Sequence, residues 1–171
     1  MRTLPRRLAL LAAAAALALA APACGPTGMS GPTMSGRLEE PPPSSPVVST
    51  EILSREPRAN HTRVKHILIG WADLADTYHG SVDPRAAKRS KHDAEEVIRN
   101  LRKQLDAGAD FDTLMKAYSE DPGSAASAEA YDVSPDAKLV IEFRQLGLRL
   151  EVGEIGVVES PYGFHLMKRI E

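Results

Sequence analysis

Three short segments, far apart along 171 residues, set titratable side chains among apolar ones. They are Val64-Lys65-His66-Ile67-Leu68-Ile69, Ser119-Glu120-Asp121-Pro122-Gly123-Ser124 and Tyr162-Gly163-Phe164-His165-Leu166-Met167. A histidine inside an apolar run has two readings: a core or edge residue with one satisfied hydrogen bond, or one member of a group assembled from several segments. His66, His165 and Asp121 are metal-ligating types. The same three could instead bond to one another in a hydrogen-bonded polar group. The chain has one cysteine, Cys24, which excludes an internal disulfide and any paired-cysteine metal or redox motif.

The elements that must carry these residues follow from periodicity and punctuation. Residues 63–70 read as a strand, with His66 on the face of Val64 and Leu68. A polar connection, 71–89, contains the turn signals His79-Gly80 and Asp83-Pro84. Ser90 then caps an amphipathic helix with apolar positions at Ala94, Val97, Ile98, Leu101 and Leu105, stopped by Gly108. Phe111, Leu114, Met115 and Tyr118 give a second helix, broken by Asp121-Pro122-Gly123-Ser124. A third helix is expected from Ser134-Pro135, carrying Leu139, Val140, Phe143 and Leu146. Two apolar runs, 155–159 and 164–170, flank the hairpin signal Ser160-Pro161-Tyr162-Gly163. Strand, helices, strands gives an α+β domain with a small sheet.

Taken together, these pieces resemble the parvulin family of peptidyl-prolyl isomerases. The resemblance runs through the opening His-Ile-Leu strand at His66, Gly108-Ala109-Asp110-Phe111, Ser-Glu-Asp-Pro-Gly-Ser at 119–124, the helix with Phe143, Gly153-Glu154-Ile155 and Tyr-Gly-Phe-His-Leu-Met at 162–167. It implies a four-stranded antiparallel sheet wrapped by three to four helices, acting on X-Pro bonds without cofactor or metal. The resemblance also assigns roles. His66 and His165 match paired histidines on central strands, Asp121 an Asp or Cys near the substrate carbonyl, and Ser160 a hydroxyl of the same network. Leu139 and Phe143, four apart and so expected on one helical face, match the residues that enclose the proline ring. Arg85, Lys88 and Arg89 lie in the connection where some parvulins select an acidic or phosphorylated residue before the proline; a solvated surface turn is the other reading. Where many parvulins have glycines, residues 125–130 are Ala-Ala-Ser-Ala-Glu-Ala, so that loop is expected to take another path. A non-catalytic chaperone module on the same fold stays open.

The ends of the chain differ in composition. Residues 1–23 hold three Arg, no acid and an all Ala/Leu stretch from Leu8 to Ala21, which is the pattern of a secretory signal. Cys24 follows Ala21-Pro22-Ala23, the position at which bacterial lipoprotein precursors are cleaved and acylated. A lipid anchor on Cys24 and, with Gly25 next, an outer-membrane location facing the periplasm are expected. A soluble exported protein with a free Cys24 is the alternative. Residues 24–57, rich in Gly, Pro, Ser and Thr, read as a disordered tether, and 58–171 as the folded domain. From Cys24 onward 18 basic residues face 23 acidic ones, a balance that argues against nucleic acid. The expected partners are proline-containing segments of exported proteins, met by a monomer.

Overall fold

The computed structural model describes residues 45–171. The secretory signal, Cys24 and the tether up to residue 44 lie outside them. The elements run in the order α1 Thr50–Leu53, β1 Thr62–Ile69, α2 Lys91–Asp106, α3 Phe111–Tyr118, α4 Pro122–Ser127, β2 Tyr131–Val133, α5 Ile141–Gly147, β3 Ile155–Ser160 and β4 Gly163–Arg169. Two 3-10 turns, Ala72–Leu74 and Ala86–Lys88, sit in the loop after β1.

All four strands form one antiparallel sheet in the order β2-β1-β4-β3. The closing strands share a two-residue turn, Pro161-Tyr162, with Ser160 opposite Gly163. Gly163 is required there. Its φ is +133°, and a Cβ would lie 2.6 Å from the Ile69 carbonyl oxygen, a conformation and an approach that only glycine supports.

Alternation divides the sheet into two faces. Ile67, Ile69, Val157, Phe164 and Leu166 pack under Ile98 and Leu101 of α2 and Phe111 and Met115 of α3. Val64, Val133, Val158 and Met167 pack under Phe143 and Leu146 of α5, with Ile52 of α1. Helix starts follow their side chains. In α2, Ser90 and Asp93 form a capping box, and Asp110 caps α3 through the Thr113 N–H.

Three expectations change. Residues 45–57 belong to the folded part: Ser49 donates its N–H to the Val157 carbonyl (2.9 Å) and accepts the Val157 N–H on Oγ (3.0 Å), and Ile52 is buried. This segment covers the outer edge of β3, where unpaired backbone groups would otherwise face solvent. Asp121-Pro122 not only ends α3 but starts α4, with Asp121 as cap and Pro122 in the first turn. The alanines that replace glycines continue this helix to Ser127, and Ala128 closes it at a left-handed φ of 54°. The third expected helix begins at Ile141 rather than Ser134. Ser134 and Asp136 bond to each other instead (2.7 Å), the chain turns through 135–139, and Val140 is still extended. Leu139 therefore does not share a helical face with Phe143; it packs against the same apolar cluster from the approach to α5.

Candidate active site

One residue from each strand forms a row across the sheet beneath α5: Tyr131 on β2, His66 on β1, His165 on β4 and Ser160 on β3. Leu68 of β1 stands opposite His165, and Met167 of β4 opposite His66, so the two rings are diagonal neighbours on one face. Their Nδ1 atoms are 3.3 Å apart. His165 Nε2 is 2.7 Å from Ser160 Oγ, which also accepts the Tyr162 N–H (3.1 Å). At the other end, His66 Nε2 lies 3.5 Å from Asp121 Oδ2. That oxygen also accepts the Ser124 N–H (2.8 Å), the Ser124 hydroxyl (2.6 Å) and the Tyr131 hydroxyl (2.8 Å). The cap that starts α4 is thus also the terminus of the row.

The proton positions are assigned from this network. Interaction with His66, and then with Ser124 and Tyr131, holds the Asp121 carboxyl well below the usual carboxylate range, against the opposing effect of burial. An ionised carboxylate only accepts, so His66 Nε2 carries a proton aimed at it. In a neutral imidazole, Nδ1 of His66 then accepts, and His165 must donate from its own Nδ1. His165 Nε2 in turn accepts the Ser160 hydroxyl proton. The result is a one-way chain of donors from the Tyr162 backbone N–H to Asp121. Burial, with a smaller contribution from the neighbouring His66 ring, pushes His165 down to about 3, so its ring is neutral through the physiological range. The Tyr131 hydroxyl is raised, first by burial and then by its bond to Asp121.

Phe143 closes the row from above. Its ring meets His66 at 5.0 Å and His165 at 5.4 Å between centroids, both edge to face, and it is 3% exposed. Tyr131 stands 5.0 Å from His66 and 5.8 Å from Phe143. Four acceptor contacts gather on Asp121 Oδ2 at the edge of an apolar, aromatic-lined face. Such an arrangement suits rigid electrostatic positioning. It does not present an open nucleophile: Ser160, whose hydroxyl donates to His165, is buried and also holds the Tyr162 N–H.

The structure brings His66, Asp121, Ser160, His165 and Phe143 together, with Leu139 half-buried on the same cluster. Arg85, Lys88 and Arg89 do not form a free basic patch: Arg85 and Arg89 both face the buried Glu120 carboxylate, at 3.9 and 2.7 Å, and Lys88 stands apart. Arg85 pairs with Asp83 and donates to the Ala117 and Ser119 carbonyls. Lys88 is exposed. Tyr131 and Ser124 were missed as members of the site. Ser124 stood inside a recognised motif, three residues after an Asp-Pro cap signal. Tyr131 follows the alanine run on a three-residue strand, which periodicity cannot register.

A family model described as the PPIC-type PPIASE domain matches residues 50–171. Foldase protein PrsA of Geobacillus kaustophilus is 37% identical over 75 residues, 43% of this chain and 27% of that protein. Chaperone SurA of Pseudomonas fluorescens is 32% identical over 111 residues, 64% of this chain and 22% of that protein. The chain thus spans about a quarter of the length of these curated relatives. Among solved structures, peptidyl-prolyl isomerase ESS1 from Candida albicans shares the fold, with a TM-score of 0.53 at 18% identity over 66% of this chain and 63% of that one.

Proposed function

The chain belongs to the PPIC-type, or parvulin, family of peptidyl-prolyl isomerase domains, and from that premise we propose that it interconverts cis and trans X-Pro bonds in exported proteins and so assists their folding. The observation that carries this reading is the one-way row from Ser160 through His165 and His66 to Asp121, roofed by Phe143. Rotation about an X-Pro bond faces a barrier of ~18–20 kcal/mol because amide resonance must be broken, and no covalent step is needed to lower it. A proline ring held between Leu139 and Phe143 is withdrawn from water, which disfavours the polar planar imide relative to the twisted transition state. The Asp121 end of the row stands beside the imide carbonyl. The histidines act as organisers: they fix each other's tautomer and hold Asp121 and Ser160 in place, and no proton transfer to substrate is required.

Export follows from the leader at 1–23, and acylation of Cys24 would hold the domain at the outer membrane, each buried methylene contributing about 0.8 kcal/mol. Mass spectrometry of the mature N-terminus tests this; an unmodified Cys24 removes the anchor. The domain is read as a monomer acting on extended, proline-containing client segments.

A protease-coupled or NMR exchange assay on an X-Pro peptide tests the activity. Wild type is expected to turn over, and Asp121→Ala and Phe143→Ala to be far slower while still folded. Wild-type rates in both variants would remove the assignment. A second reading, a holding chaperone without useful turnover, draws on the likeness to a protein named Chaperone SurA. It predicts suppression of client aggregation that survives Asp121→Ala.

A further inference from the structure

Glu120 sits between two residues of the site motif, yet its side chain points away from the row and the mechanism above does not use it. The side chain is 3% exposed, and burial raises its carboxyl above the ordinary value. Oε2 accepts the Gly70 N–H (2.7 Å), Oε1 lies 2.7 Å from Arg89 Nη1, and its own N–H donates to the Leu68 carbonyl (2.9 Å). Arg89 Nη1 also donates to the Gly70 carbonyl (3.3 Å). Arg85 reinforces the same segment through Ser119 O (3.0 Å) and Ala117 O (3.2 Å). A Cβ on Gly70 would come within 3.3 Å of Ala86 and 3.4 Å of Glu120 Oε2, so the three segments meet closely.

Burying an ion pair gains little stability over an apolar packing of the same volume. A buried carboxylate here needs another reason, and the register supplies one. Ser119 Oγ accepts the Leu68 N–H (3.2 Å) and the Asp121 N–H (3.4 Å). Residues 119–121 are therefore fastened to Leu68 of β1 and to Gly70 just past its end, two and four residues beyond His66. The position of Asp121 relative to His66 depends on that fastening. The loop that contributes both arginines also reaches the far end of the row, where the Tyr78 hydroxyl donates to the Tyr162 carbonyl (2.7 Å) and Tyr162 holds Ser160.

We propose that Glu120, clamped by Arg89 and Arg85, is a positioning residue for the isomerase: it sets Asp121 against His66 and docks the 72–89 loop along the site's rim. This rests on the isomerase reading. The test measures kcat and KM on an X-Pro peptide, together with the 15N resonances of the His66 ring, for wild type, Glu120→Gln, Arg89→Met and the double variant. Each single change is expected to lower kcat about tenfold, since small misplacements of a positioned group are costly. KM should stay within about twofold, and the His66 resonance should move. The double variant should be no slower than the slower single one, because residues acting as one unit do not add. An active wild type with Glu120→Gln at full kcat and an unmoved His66 resonance overturns the clamp alone, and so do losses that multiply in the double variant. A wild type without turnover removes the isomerase reading, and the His66 resonance then still decides whether the clamp sets the row. If Glu120→Gln does not fold, Arg89→Lys carries the test. It keeps the charge but cannot span Glu120 and the Gly70 carbonyl, so full kcat there overturns the proposal and a similar loss supports it.

Discussion

The two faces of the sheet use alternate residues of the same strands and bury different things. Under α2 and α3, β1 and β4 present Ile67, Ile69, Phe164 and Leu166, an apolar interior with the Lys65–Asp112 and Lys91–Glu159 pairs at its margin. Under α5 the intervening positions present His66 and His165, with Ser160 and Tyr131 from the outer strands. Burying an imidazole without partners costs several kcal/mol. The polar face is tolerable because each ring nitrogen meets a partner and the surplus donors end on one carboxylate. The difference also fixes register: a one-residue slip of β4 would place His165 among leucines and Leu166 beside His66, so the site and the core enforce the same pairing.

This contrast assigns stability to one face and rate to the other, and two substitutions can break it. Leu166→Ala, on a fully buried side chain, is expected to cost about 3 kcal/mol of unfolding free energy while leaving kcat within about twofold, as measured by denaturant titration and the exchange assay. Asp121→Ala should do the reverse. Turnover falls about a hundredfold, equivalent to about 2.7 kcal/mol at the transition state. The stability cost is smaller, about 1 kcal/mol for the lost helix cap. If Leu166→Ala abolished turnover in a folded protein, or Asp121→Ala unfolded the domain, the division between faces would fail.

A pH series sharpens the comparison, because buried titratable groups of the polar row are absent from the apolar face. The ordinary value for His165 is 6.5, and in the folded chain it is about 3. As pH falls, the unfolded chain takes up this proton first. The corresponding stability is complete above about 6.5 and is lost between there and about 3, with a slope of up to about 1.4 kcal/mol per pH unit. Asp121, held below its ordinary 3.8, adds a loss of the same sign at lower pH. His165→Gln should flatten the wild-type decline in thermal midpoint between about pH 6.5 and 4. A wild-type midpoint that stays level through that range would contradict the burial that sets the His165 tautomer.

Most of the scaffold was readable from local signals. β1 and the β3–β4 hairpin follow from apolar runs and a Ser-Pro-Tyr-Gly turn, and α2 and α3 from 3.6-residue periodicity, with Ser90 as the cap of α2. The paired histidines, Asp121 and Ser160 were legible only as a constellation matched to a family, since nothing in single-strand periodicity says that His66 and His165 are neighbours. What stayed hidden is tertiary. Val47, Val48, Ile52 and Leu53 are scattered through a stretch with Pro and Ser at both ends, and only their seats against the core, with Ile52 fully in it, reveal that 45–57 is folded. Arg85 and Arg89 look like a free basic patch until Glu120, more than 30 residues on, is seen to occupy Arg89. Leu139 and Phe143 have helical spacing, but the Ser134–Asp136 bond competes with helix initiation and delays it to Ile141.

The smallest expected effect lies at the residue that spacing could not find. Tyr131 donates its hydroxyl to Asp121 Oδ2 while its ring packs edge-on against His66. Tyr131→Phe keeps the ring and removes one of the donors that hold the carboxylate. The apolar face is untouched, so stability should change by no more than about 1 kcal/mol. With one stabilising bond gone, Asp121 takes up a proton at somewhat higher pH than in wild type, and a protonated Asp121 releases His66. Turnover should therefore fall a few-fold, on the order of 1 kcal/mol, and its acid limb should shift upward. Full turnover with an unshifted acid limb would mean that Tyr131 acts by shape, through its ring against His66 and Phe143, and not through its bond to Asp121.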